Sequence, residues 1–148
     1  MRKVLYLSMV ITTLIFSSCE RFEDNNEITS PISTAGKWQV SAYIDNSPVK
    51  KSFTLTTENN FASGADSITI NDEASSFWNF KAKAAINALT GKFETKQSVC
   101  EKSDLGVGVR IMNGKILGSD SIYLEIQFED DVTPFQNTYQ IKGHRING

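Results

Sequence analysis

The chain has 148 residues with Lys+Arg 15 against Asp+Glu 17, a net charge of −2, so it has one domain's length and no global basic footprint for nucleic acid. Hydrophobic residues at 40% and aromatics at 10% are enough for a core and exclude a wholly disordered chain. Nine glycines, three prolines and two cysteines exclude collagen-like and disulfide-scaffold classes, and one His severely limits catalysis and metal binding.

In chain order, Arg2 and Lys3 precede an apolar stretch from Val4 to Phe16, and the small residues Ser17 and Ser18 precede Cys19. This is a secretory signal, shorter than the roughly 20 apolar residues a membrane span needs. Leu14-Ile15-Phe16-Ser17-Ser18-Cys19 resembles a bacterial lipobox, with a larger residue at Phe16 than the common pattern. The resemblance implies cleavage after residue 18, acylation of Cys19, export across the inner membrane and anchoring at the outer membrane. Removing residues 1–18 takes Arg2 and Lys3 from the 15 basic residues and none from the 17 acidic ones, which leaves −4. Such a chain is held to a membrane by acyl groups, not by charge. Cys100 is then the one remaining thiol and reads as a small apolar filler. Residues 19–35, with Glu20, Glu23, Asp24, Glu27 and Pro31, read as an acidic, polar tether.

From Gly36 to Gly148 the dominant period is two. Lys37 to Ile44 puts Trp38, Val40, Ala42 and Ile44 on one face, and Asp45-Asn46-Ser47-Pro48 reads as a turn. Phe53 with Leu55, Ile68 with Ile70, and Val107 with Val109 and Ile111 repeat the pattern. Phe77 to Leu89 fits a helical face through Phe77, Phe80, Ala84, Ala85 and Ala88, and equally a strand with Trp78, Phe80, Ala82, Ala84 and Ile86 inward; its strand-like neighbours favour the strand. Asn113-Gly114 is the strongest short hairpin signal. Ser121 to Phe128 alternates most cleanly, with Ile122, Leu124, Ile126 and Phe128 inward, and Tyr139 with Ile141 ends the series. About eight short strands predict a single all-β, antiparallel barrel or sandwich.

Gly36-Lys37-Trp38 resembles the Gly-x-Trp signature of lipocalins and other calycins. That likeness implies a lipocalin-like barrel in which Trp38 closes one end under a basic side chain from the last strand, here Arg145. Together, Phe77-Trp78-Asn79-Phe80-Lys81, Asn113-Gly114-Lys115-Ile116, Phe128-Glu129-Asp130-Asp131 and Gly143-His144-Arg145 resemble small lipoproteins of Bacteroides-like bacteria named as lipid-binding putative hydrolases. The resemblance implies a calycin-like fold and a lipid ligand, and brings no catalytic residues with it.

A hydrolytic Ser-His-Asp site would have to use His144, with Asp130 or Asp131 behind it, and no Ser stands in a Gly-x-Ser-x-Gly elbow. Glu129-Asp130-Asp131 lacks EF-hand spacing and reads as a solvated turn before Pro134; no cofactor or metal set is indicated. Two functions stay open. One is a barrel that takes up a small apolar or amphipathic molecule, lined by Trp78, Phe80, Val109, Ile122, Leu124, Ile126 and Tyr139. The other is a filled barrel whose loops contact another protein or a glycan. An apolar cavity of about 300–1,000 Å³ would mark the first.

Overall fold

The computed structural model describes residues 33–60, 66–118 and 120–146. The expected signal segment and Cys19 lie outside them. Period-two alternation forms eight strands: β1 (Gly36–Ile44), β2 (Ser47–Asn60), β3 (Ser67–Asn71), β4 (Lys81–Ile86), β5 (Lys92–Val99), β6 (Gly108–Leu117), β7 (Ser121–Phe128) and β8 (Tyr139–Arg145). Each pairs antiparallel with the next, and β8 returns to β1, from Trp38↔Arg145 to Tyr43↔Gln140, closing a barrel. The all-β, eight-stranded antiparallel barrel expected from the sequence is the fold. Closure removes the exposed edges that an open sheet would present.

Inward side chains fill the interior. Ile122, Leu124, Ile126 and Phe128 on β7 are at most 1% exposed, and Trp38, Leu55, Ile68, Ile70, Ile111 and Ile141 have no exposed surface. A void wide enough for water would leave accessible area on these walls, so this core is close-packed. The ambiguous Phe77–Leu89 segment is a strand only from Lys81. There Ala82 and Ala84 stand opposite Ile70 and Ile68, so small residues face large ones across β3 and β4. A helix would lose that pairing.

Asn113-Gly114 is not a hairpin turn. It lies within β6 at a register shift between Met112 and Lys115, and the chain reverses instead after Leu117, whose carbonyl accepts from Asp120 N at 3.1 Å. Asn113 has φ +51°, the left-handed conformation that a bulge uses as readily as a turn does. Phe93 selects the bulge, because a Cβ at Gly114 would stand 2.4 Å from its ring. At barrel closure, a Cβ on Gly143 would stand 1.9 Å from the Gln39 carbonyl oxygen, so β8 crosses β1 closer than a side chain permits.

Alternating connections gather at opposite ends. Asp72–Phe80, Cys100–Val107 and Glu129–Thr138 share one end with the turn at Asp45-Asn46; the start of β1 and the end of β8 lie at the other.

Candidate ligand site at the barrel mouth

At the loop-rich end, the β3–β4 loop folds over the barrel and plugs it with aromatic rings. Its organiser is Asp72, which is fully buried. Its carboxylate accepts hydrogen bonds from the backbone N–H of Ser76 (3.0 Å), Phe77 (2.7 Å), Trp78 (3.1 Å) and Asn79 (3.3 Å). Aspartate commonly caps nearby backbone donors in this way, and the run Asp72-Glu73-Ala74-Ser75-Ser76 carries that signal in the sequence. Ser75 (φ +52°) and Asn79 (φ +52°) bend the loop.

The bend lays Phe77 and Trp78 onto the barrel rim. Trp78 stacks on Phe128 with centroids 4.4 Å apart and planes within 2°, while Phe77 stacks on Phe53 at 5.2 Å and meets Tyr139 edge-on at 5.4 Å. Such pairs add about 0.5–1.5 kcal/mol each beyond their buried area. Two acidic residues expected in a solvated turn hold the plug instead. Asp130 accepts from Trp78 Nε1 at 2.8 Å, and the buried Asp131 accepts from the Tyr139 hydroxyl at 2.9 Å and from Asn137 Nδ2 at 3.1 Å. Burial, and then the Asp131 carboxylate, push the Tyr139 phenol up to about 12.

Beside the plug lies a cleft of about 190 Å³ between the β3–β4 and β5–β6 loops. Trp78, Phe80, Phe128, Val107 and Cys100 give it apolar walls, and Asn79, Lys102, Ser103 and Asp130 a polar rim. Lys102 is anchored through a hydrogen bond to the Asp72 carbonyl, and the Cys100 thiol, buried as expected of a filler, donates to the Asn79 carbonyl at 3.7 Å. A backbone bond from Glu101 N to Lys81 O (2.7 Å) ties the second loop to β4, and one from Cys100 N to Val107 O (2.8 Å) closes that loop on itself. The cleft is amphipathic and rigidly framed.

Of the seven residues expected to line an interior ligand space, Trp78 and Phe80 line this cleft and Tyr139 packs on Trp78, centroids 5.1 Å apart. Val109, Ile122, Leu124 and Ile126 lie in the packed core below. Sequence reasoning missed Asp72 and Lys102, because their roles depend on which loop folds over which end.

The opposite end is closed by Trp38 and Arg145. The guanidinium carbon lies 4.2 Å from the Trp38 ring centroid, and Trp38 Nε1 donates to Thr57 Oγ1 at 2.8 Å. Arg145 also donates to the carbonyls of Ala35 and Ser33, both at 2.6 Å. Thr34 is fully buried, so the barrel grips the chain ahead of β1, within residues read from the sequence as tether.

The arrangement of His144 with Asp130 or Asp131 does not form. His144 is exposed near the far end of β8, beside Gln39 and Ser121, whereas Asp131 is bonded to Tyr139 at the start of β8. Five residue steps of strand separate Tyr139 from His144, about 17 Å at 3.4 Å per residue. Among the described residues no group of three or more His, Cys, Asp and Glu side chains is placed to hold a metal ion.

The sequence model of one family, described as "Lipid-binding putative hydrolase", matches residues 23–148. No curated protein matches the chain.

Proposed function

Since the chain belongs to the lipid-binding putative hydrolase family, we propose that it binds a small apolar or amphipathic lipid at the aromatic mouth of its barrel. The cleft beside Trp78 carries this reading: an acyl segment would contact Trp78, Phe80, Phe128 and Val107, and a polar head would meet the Lys102 and Asn79 rim. At about 190 Å³ the cleft is smaller than the usual 300–1,000 Å³ of ligand pockets. A longer chain therefore has to displace the Phe77–Trp78 plug, which spans stacked faces and not covalent or metal links. The lipobox-like Cys19 context supports a protein exported across the inner membrane and anchored by acylated Cys19, at the outer membrane. Cys19→Ser should move it from the membrane fraction to a soluble or unprocessed form, seen by fractionation and N-terminal mass.

Binding is tested by titrating the purified protein with fatty acids, acyl esters and sterols. A ligand at the mouth should quench Trp78 fluorescence, with Trp78→Phe removing the change. It should also stabilise the fold by about 2.7 kcal/mol at a hundredfold excess over its Kd. Nitrophenyl esters run alongside report turnover. The close-packed interior favours a second reading, a filled barrel whose loops engage another macromolecule. That reading takes over when no apolar compound shifts the melting temperature.

A further inference from the structure

On the outer wall, away from the mouth, the irregular pairing of β5, β6 and β7 leaves a groove of about 520 Å³. The bulge at Asn113-Gly114 lies in its floor, next to the short β4–β5 ladder of two residue pairs. Strand register places a row of side chains across it: Lys92 opposite Lys115, and Lys115 opposite Tyr123. Both lysines are exposed, and neither has an ion pair among the described residues. Like charges directly opposite each other destabilise a sheet, so this row is not explained by stability.

Beside them the half-buried Tyr123 ring has the Lys115 ammonium 5.7 Å from its centroid. Its hydroxyl donates to Glu125 Oε1 at 2.8 Å, and Asn113 Nδ2 donates to Glu125 Oε2 at 3.0 Å. The left-handed Asn113 thus brings its amide to the groove, as bulges do when they re-aim side chains. Glu94 and Glu125 line one side of the row. They narrow the positive stripe to about one side chain, which suits neither a broad anionic membrane nor a duplex backbone. They also supply acceptors for hydroxyl groups.

Two lysines on neighbouring strands about 4.8 Å apart, an aromatic face beside them and carboxylate acceptors alongside fit a chain of hydroxyl-rich rings bearing carboxylates. We propose that this groove binds an acidic oligosaccharide that runs across β5 to β7, its carboxylates on Lys92 and Lys115 and a sugar face on Tyr123.

The test is NMR titration of the purified protein with tri-galacturonic acid, with maltotriose as the neutral sugar and inorganic phosphate as the anion without a sugar. Tri-galacturonic acid should shift the amides of Asn113, Lys115 and Tyr123. Its binding should be at least tenfold tighter than that of either control, and should weaken with added salt. Lys92→Ala/Lys115→Ala should weaken it at least tenfold while leaving the melting temperature unchanged or raised. Absence of binding, equal binding of maltotriose or phosphate, or undiminished binding in the double variant would overturn the proposal.

Discussion

Asp72 offers the sharpest perturbation of the mouth. Its buried carboxylate satisfies four consecutive backbone donors, from Ser76 to Asn79, at 2.7–3.3 Å. Hydrogen bonds to a charged group contribute about 1.5–3 kcal/mol each, but water enters when such a side chain is truncated and recovers part of that. Asp72→Ala should therefore cost about 3–5 kcal/mol, the range for breaking a buried charged network. Against a total stability of about 5–15 kcal/mol this is a large fraction. At about 3–5 °C per kcal/mol for a domain of this size, the melting temperature should fall by roughly 10–25 °C. Asp72→Asn keeps one oxygen for the three donors on Oδ2 but turns an amide N–H₂ toward Ser76 N, so its cost should be about 1–2 kcal/mol. Urea unfolding followed by tryptophan emission measures both. Because the carboxylate positions Trp78, the Ala variant should also show red-shifted emission before unfolding. Asp72→Ala within 1 kcal/mol of the parent, or Asp72→Asn the worse of the two, would refute the role given to this carboxylate.

Gly143→Ala should cost more than about 2 kcal/mol, because its Cβ would meet Gln39 O at 1.9 Å and Val40 Cα at 2.7 Å, backbone atoms that cannot step aside; an unchanged urea midpoint would show that β1 and β8 can separate. The Tyr139 phenol, raised to about 12 in the folded chain from 10 when unfolded, contributes stability that is complete below pH 10 and lost as pH rises from 10 to 12. Urea midpoints across that interval should fall less steeply in Tyr139→Phe than in the parent, and equal slopes would show that the Tyr139 phenol is not raised by burial and Asp131. Leu124→Asp buries an unpaired charge at a position with no exposed surface and should prevent folding, whereas Glu125→Gln on the outer face keeps an acceptor and should cost under about 1 kcal/mol; circular dichroism separates the two outcomes.

What a strand buries was legible because alternation is a local property of the chain. The two faces of Ser121–Phe128 follow from period two alone, and the inward assignments of Trp38, Val40, Ile68, Ile70 and Ile141 agree with their burial. Gly36-Lys37-Trp38 and the last-strand arginine were likewise legible through their likeness to calycins, and their contact across the closed end is present. The alanines of β4 mark the limit, since Ala82 and Ala84 fit either period until Ile68 and Ile70 stand opposite them. Asn113-Gly114 marks it again: a dipeptide suited to positive φ serves a hairpin turn or a bulge, and only Phe93 from a neighbouring strand selects between them. The mouth belongs wholly to tertiary structure. Asp72, Lys102, Asp130 and Asp131 are spread over three loops and read singly as solvated turn residues. Barrel closure brings those loops to one end and withdraws water from them, and that desolvation makes their hydrogen bonds the frame of a site.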